Sequence, residues 1–271
     1  MKTKIQYIFM LAATALLAGC MNEQEPFNTP SGEGTFALSL NKGEIVVNAE
    51  TRAALSATDA ANYNIMVYQN DDELWSQKKK YSALTGSDYI LGVGTGYSVF
   101  AESCTEEEAE TSNDGFGSKR FAGRSVAFAI EPSKQTEVTV NCTAANSGLC
   151  VVFDKSFTDE FGKYDVNTTD ERHLTFNSEN QAIFDTTTKK RTKGAVAYYN
   201  MPPTGELDVE LEVVARGAKK VTKTVTLKTG KITRFTVYGP NAGTGDGTGG
   251  IDIVIGYDDD FDSEDHTIVI D

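Results

Sequence analysis

The sequence predicts a mainly β protein built as two antiparallel β-sandwich domains. Three observations carry that reading. Apolar residues recur at every second position through most of residues 35–238, the period of a strand with one buried face. Turn residues interrupt the alternation at short intervals, as hairpin connections require. The pattern also closes near Cys142 and restarts at Leu149. The body therefore divides into 35–147 and 148–238, each of about 100 residues, an ordinary domain size.

Ahead of the body, Lys2 and Lys4 precede an almost wholly apolar run from Ile5 to Leu17. That length suits a signal-peptide core and is short for a retained bilayer span. Small Ala18 and Gly19 follow, then Cys20. Leu17-Ala18-Gly19-Cys20 resembles the lipobox of bacterial lipoproteins. The resemblance implies cleavage after residue 19 and acyl chains, palmitate among the fatty acids of this kind, on Cys20. At about 0.8 kcal/mol per buried CH2, two or three chains hold a protein on a membrane where one chain is marginal.

Charge bounds the partners. The chain carries a formal net charge of −14, which repels nucleic acid and anionic headgroups. Lys78-Lys79-Lys80 reads as a solubilising edge after a strand ending at Trp75, since lysines on an exposed strand edge discourage pairing with other chains. Of the cysteines, Cys104, Cys142 and Cys150 remain once Cys20 is acylated. An odd number allows one disulfide and a free thiol, or three reduced thiols on strands. The second is preferred because each lies beside alternating apolar residues.

In chain order, residues 20–34 form a flexible tether rich in Glu, Asn, Pro and Gly. Thr35 to Leu40, a turn at Asn41-Lys42-Gly43 and Glu44 to Val47 predict a first hairpin. Arg52 follows, in a small-residue segment that reads as a short helix or an exposed linker. Tyr63, Ile65 and Val67 alternate into the turn Asn70-Asp71-Asp72. Gly92, Gly94 and Gly96 lack phosphate-loop spacing and read as a turn before Tyr97, Val99 and Ala101. Glu106-Glu107-Glu108 with Glu110 reads as a solvated loop. Val126 to Ile130, Pro132-Ser133-Lys134 and Val138 to Cys142 predict a closing hairpin.

The second body opens on a buried strand, Leu149 to Phe153, and a helical turn capped by Ser156, with Phe157 and Phe161 on one face. Short strands are expected at 173–176, 181–184 and 195–199. Leu207, Val209, Leu211 and Val213 alternate with four acidic residues, a half-buried strand. Val225 and Leu227, a turn at Thr229-Gly230, then Phe235 and Val237 predict another closing hairpin. The likeness of the two endings suits an internal duplication. Residues 239–250 are a glycine-rich linker, and 251–271 a C-terminal strand pair or donor strand.

Chemistry is sparse. His173 and His266 stand in different pieces, without the spacing of a metalloprotease, hydrolase or nucleotide motif. The acidic run Asp258 to Asp265 lacks the glycine and glutamate spacing of a calcium loop and reads as a hydrated turn. No enzyme activity, metal or cofactor is expected.

Several pieces together resemble an uncharacterised lipoprotein domain family of the Bacteroides group, and more distantly the fimbrillin-type subunits of lipoprotein-derived pili and related adhesins. They are the lipobox, the acidic tether, a Leu-x-x-Gly-like turn before Tyr97-Ser98-Val99, and the passage from Val138-x-Val140-x-Cys142 to Val151-Val152-Phe153. The resemblance covers about residues 34–271. It implies transthyretin-like or fimbrillin-like sandwiches and a lipidated precursor cut by an Arg-specific protease after an early strand. The groove so opened accepts a C-terminal strand of the next subunit. Here Arg52 stands at the cut, and Ile251, Ile253 and Ile255 on the donor. Glu23 and Glu25 resemble a surface-export tag, or are ordinary linker charge. The chain departs from the pattern in that Arg52 lacks a distinctive flanking motif and an acidic turn follows Gly256.

The expectation is an outer-membrane, lipid-anchored cell-surface protein with a structural or adhesive role, partnered by copies of itself, other pilus subunits, or host or glycan ligands. The alternative is a glycan- or protein-binding lipoprotein for nutrient capture, with Trp75, Tyr198 and Tyr199 supplied for stacking on sugar rings.

Overall fold

A computed structural model describes residues 32–43, 52–54, 60–184, 187, 191–218, 220–239, 251–258 and 265–268. The first half contributes β1 (Glu33–Gly43), β2 (Arg52–Ala54), β3 (Asn64–Gln69), β4 (Asp72–Glu73), β5 (Lys79–Lys80), β6 (Ile90–Gly92) and β7 (Gly94–Glu102). Helix α1 (Glu106–Thr111) then precedes β8 (Phe121–Arg124), β9 (Phe128–Ile130) and β10 (Gln135–Ala144). The second half runs β11 (Asn146–Phe153), α2 (Lys155–Glu160), β12 (Tyr164–Thr168), β13 (Thr175–Phe176), β14 (Ile183–Phe184), β15 (Arg191–Lys193) and β16 (Ala197–Asn200). It ends with β17 (Glu206–Ala215), β18 (Val221–Lys228), β19 (Ile232–Tyr238), β20 (Asp252–Asp258) and β21 (Asp265–Ile268).

The strands of the first half hydrogen-bond in the order β2-β1-β10-β8-β7-β3-β4, with β6 on β1, β9 on β7 and β5 on β3. Strand β10 joins the two parts of this surface, pairing with β1 along most of its length and with β8 at Thr143 and Ala144. Phe36, Leu38 and Leu40 of β1 meet Ile65, Val67, Val99, Val138 and Val140 in one buried cluster. In the second half the sheet β16-β11-β19-β20-β21 faces the sheet β13-β12-β17-β18. Leu149, Val151, Phe157, Val209, Leu211, Leu227 and Phe235 lie between them. Each such side chain stabilises by about 1.5–3 kcal/mol when fully buried. A smaller cluster, with Cys150, Val196, Tyr198 and Ile232, lies apart from this core, packed with Ala182 and Phe184.

The mainly β class stands and β13-β12-β17-β18 is antiparallel throughout, but the sheet of the first half and the five-stranded sheet of the second are mixed. In each half the first strand lies parallel to a late one, β1 from Thr35 to Lys42 beside β10 from Gln135 to Cys142 and β11 from Gly148 to Phe153 beside β19 from Ile232 to Val237. The two closing hairpins are therefore corrected. β9 pairs with β7 and β18 with β17, while β10 pairs with β1 and β8 elsewhere in the same sheet and β19 lies in the other sheet of the second half. Alternation shows which face of a strand is buried and leaves open which strand lies beside it.

Other expectations change locally. Asn41-Lys42-Gly43 continues β1 rather than turning, because Asn41 and Lys42 pair with both β10 and β2, and Gly43 with β2. Residues 44–47 lie outside the described residues. The acidic stretch after Thr105 is helix α1, not a loop. The Thr105 hydroxyl accepts the Glu108 N–H at 3.2 Å and the Glu108 carboxylate accepts the Thr105 N–H at 2.8 Å, a capping box. That backbone N–H holds the Glu108 carboxyl below its ordinary range. Asp154, not Ser156, caps α2, accepting the Ser156 N–H at 2.8 Å. Phe157 and Phe161 do share a face, with ring centroids 4.8 Å apart. Cys142 and Cys150 are buried on strands, whereas Cys104 is half-buried in the turn after β7, and all three are free thiols.

Candidate functional site

Two parts of the structure hold the residues expected to take part in strand exchange, and they stand in different halves. The first is β1 with Arg52. Phe36, Leu38 and Leu40 alternate inward, and β10 runs alongside for eight paired residues. Withdrawing β1 would uncover the cluster formed with Val138 and Val140, an apolar groove one strand wide. Arg52 lies in β2, opposite Gly43 at the far end of β1, so it is neither in a helix nor in an unpaired linker. β2 is the terminal strand of its sheet. The Arg52–Ala53 bond is thus in the extended conformation that proteases bind, with one edge paired.

The second part is the tail. β20 pairs antiparallel with β19 of its own chain from Tyr238 beside Asp252 to Ile232 beside Asp258. Ile255 is buried opposite Phe235, and Ile251 and Ile253 are half-buried against the same core. Strand β21 then covers the outer edge of β20. The structure gathers Ile251, Ile253 and Ile255 on one core and holds them in the second half, apart from Arg52 and β1.

Cys20, Glu23 and Glu25 lie outside the described residues, as do 259–264 of the acidic run. Among the described residues no three His, Cys, Asp or Glu side chains gather as a metal site would require, and no helix is long and apolar enough to cross a membrane.

The sugar-stacking residues are not available as expected. Tyr198 and Tyr199 are 8% and 4% exposed, and burial pushes the Tyr198 phenol up to about 12 and the Tyr199 phenol higher still. A ring covered on both faces offers nothing to a sugar. Trp75 is half-buried against the first core, with the Lys79 ammonium 5.2 Å from its ring centroid. Lys78 reaches the buried Glu102 at 2.6 Å and Lys79 pairs with Asp88. The lysine run therefore anchors the β3 edge through β5 as well as solubilising it.

Sequence reading missed two groups. Arg120, Asn146 and Arg172 are polar residues that tie the halves together, and single polar residues give no periodic signal. Lys189-Lys190-Arg191 with Lys193 is a second basic run, readable from composition alone; its described members Arg191 and Lys193 are exposed.

No curated protein matches the chain. Among solved structures it is similar to the fimbrial anchor protein Mfa2 from Porphyromonas gingivalis, at 9% identity and a TM-score of 0.45 over 83% of this chain and 97% of that one. It is also similar to a fimbrial assembly protein from Parabacteroides distasonis, at 12% identity and a TM-score of 0.41 over 88% of this chain and 99% of that one. The model of a family described as "Domain of unknown function (DUF4493)" matches residues 32–271, and the chain belongs to that uncharacterised family.

Proposed function

We propose that the chain is a cell-surface protein with a structural or adhesive role, delivered to the outer membrane by lipid on Cys20 and joined to further copies or to other pilus subunits by exchange of the strand 251–258. In this reading 35–147 and 148–238 are two successive domains, Arg52 is the processing site, and the chain is not an enzyme.

The connection between β19 and β20 carries the exchange. Tyr238 and Asp252 are direct partners, yet the thirteen residues 239–251 separate them in sequence. Antiparallel neighbours are joined by as few as about two residues. Thirteen residues of extended chain reach roughly 43 Å, enough to set the same strand on the β19 of an adjacent copy in the same register. Main-chain hydrogen bonds and alternate side-chain pockets would be preserved in either arrangement. Glycan capture loses two of its three aromatic residues to burial and rests on Trp75 alone.

Cysteines placed at Thr236 and Val254, which are register partners, test the exchange. Under oxidation on intact cells the exchange predicts disulfides between chains, seen as a ladder on non-reducing gels. Disulfides within single chains only would end it. Mass spectrometry of the mature protein reads the delivery steps separately, as lipid on Cys20 and, after processing, an N-terminus at Ala53. If Arg52→Ala changes neither size nor surface form, cleavage there is not part of the process.

A further inference from the structure

Strand β16 forms one edge of the five-stranded sheet. Edge strands present unpaired N–H and C=O groups that invite another chain to add a strand. Here those groups are taken up by residues outside the sheet, most of them from the first half of the chain. The Tyr198 N–H donates to the Phe116 carbonyl at 2.7 Å. The Asn200 N–H donates to the Glu110 carboxylate at 2.9 Å, and the Asn200 amide group donates to the Glu106 carbonyl at 2.8 Å. Arg172, aimed by a tight turn in which Asp170 accepts its N–H at 3.1 Å, fastens the arrangement. Its guanidinium donates to the Tyr198 carbonyl at 2.5 Å and to the Gly115 carbonyl, and lies 4.4 Å over the Tyr199 ring.

Apolar and polar contacts make the same connection. Phe116 packs against the second core and meets Phe176 edge-on, with centroids 5.3 Å apart. Asn146, fully buried where the halves meet, accepts the Arg120 N–H at 3.0 Å and donates to the Ser118 carbonyl at 2.8 Å.

We propose that residues 105–118 are an edge guard which the first half lends to the second, filling the place on β16 where a strand of a second copy would otherwise pair. The second core is then incomplete without the first, and the halves unfold together. This holds whether or not the tail is exchanged.

The test is calorimetry and sedimentation of the full-length chain in detergent, wild type against Arg172→Ala/Asn200→Ala. The wild type is expected to melt in one transition with equal calorimetric and van't Hoff enthalpies. The variant is expected to melt in two, and to self-associate as concentration rises. A wild type with two transitions, or a variant that stays monomeric and melts in one, overturns the proposal. Should the variant not fold, hydrogen exchange of the wild type decides. Protection at the Tyr198 and Asn200 amides is expected within about tenfold of that at Val151, as in one cooperative unit. Loop-like exchange there, with Val151 still protected, overturns the proposal.

Discussion

The Tyr81 hydroxyl donates to the Leu38 carbonyl at 3.1 Å, on the edge of β1 turned away from β10. The Thr35 N–H points to the β10 side, where it meets the Lys134 carbonyl, and alternation along the strand turns Leu38 the other way. Among the described residues β6 covers that edge at Glu33–Thr35 and β2 at Asn41–Gly43. Tyr81→Phe is therefore expected to cost about 1 kcal/mol, read as a lower urea midpoint with an unchanged slope. An unchanged midpoint would mean that water serves Leu38 equally well.

Glu102 has a side chain only 1% exposed, and it is held by Arg120 at 2.8 Å and Lys78 at 2.6 Å. The Arg120 side chain is 10% exposed and that of Lys78 is 37%. Losing one partner of a buried pair costs about 3–5 kcal/mol, and losing a solvated one about 1 kcal/mol or less. Arg120→Ala should therefore destabilise several-fold more than Lys78→Ala in equilibrium unfolding. Equal costs would show that Arg120 is not what compensates the carboxylate.

Alkaline pH should weaken the fold through its buried thiol and phenol groups. Burial pushes the Cys142 thiol up to about 12 from an ordinary 9.0 and the Tyr198 phenol up to about 12 from 10.0. Both folded forms hold the proton more tightly than the unfolded chain does. Their contribution is complete below about pH 9 and is lost as pH rises from there to about 12. Denaturant midpoints should be flat from pH 7 to 8.5 and fall above it, and Cys142→Ala should remove the earliest part of the fall.

Gly123 sits in β8, where an added Cβ would stand 2.1 Å from the Asn141 carbonyl oxygen. Backbone meets backbone there, so neither side can rotate away. Gly123→Ala should cost about 1–3 kcal/mol, the range for overpacked sites. Gly86→Ala, with nothing within 4 Å, should be neutral or slightly stabilising. Similar melting temperatures for the two variants would show that β8 yields freely.

The strands were largely legible because one face of each meets a core. Leu207 to Val213 on β17 could be read directly, since Val209, Leu211 and Val213 are buried and the acids between them are not. What stayed hidden was set by distant partners. Nothing local in Thr35 to Lys42 tells that its neighbour begins at Gln135. The capping box of α1 was written in Thr105 and Glu108, but four glutamates in five residues favoured a solvated loop. Arg172 and Asn146 carry no pattern, because each acts through one side chain whose carbonyl and amide partners become neighbours only after folding. Of the proposed strand-exchange site, the isoleucines of the tail were readable as one strand face, while their place beside Phe235 was not.

The parallel pairing of β1 with β10 and of β11 with β19 governs how the chain comes into being. Thr35 waits for Gln135, and Gly148 for Ile232, separations that place these halves among slow, high-contact-order topologies. The first half cannot close until β10 has been synthesised, nor the second until β19 has. Through that interval the nascent polypeptide lacks the parallel pairing that closes each half, and so stays unlocked.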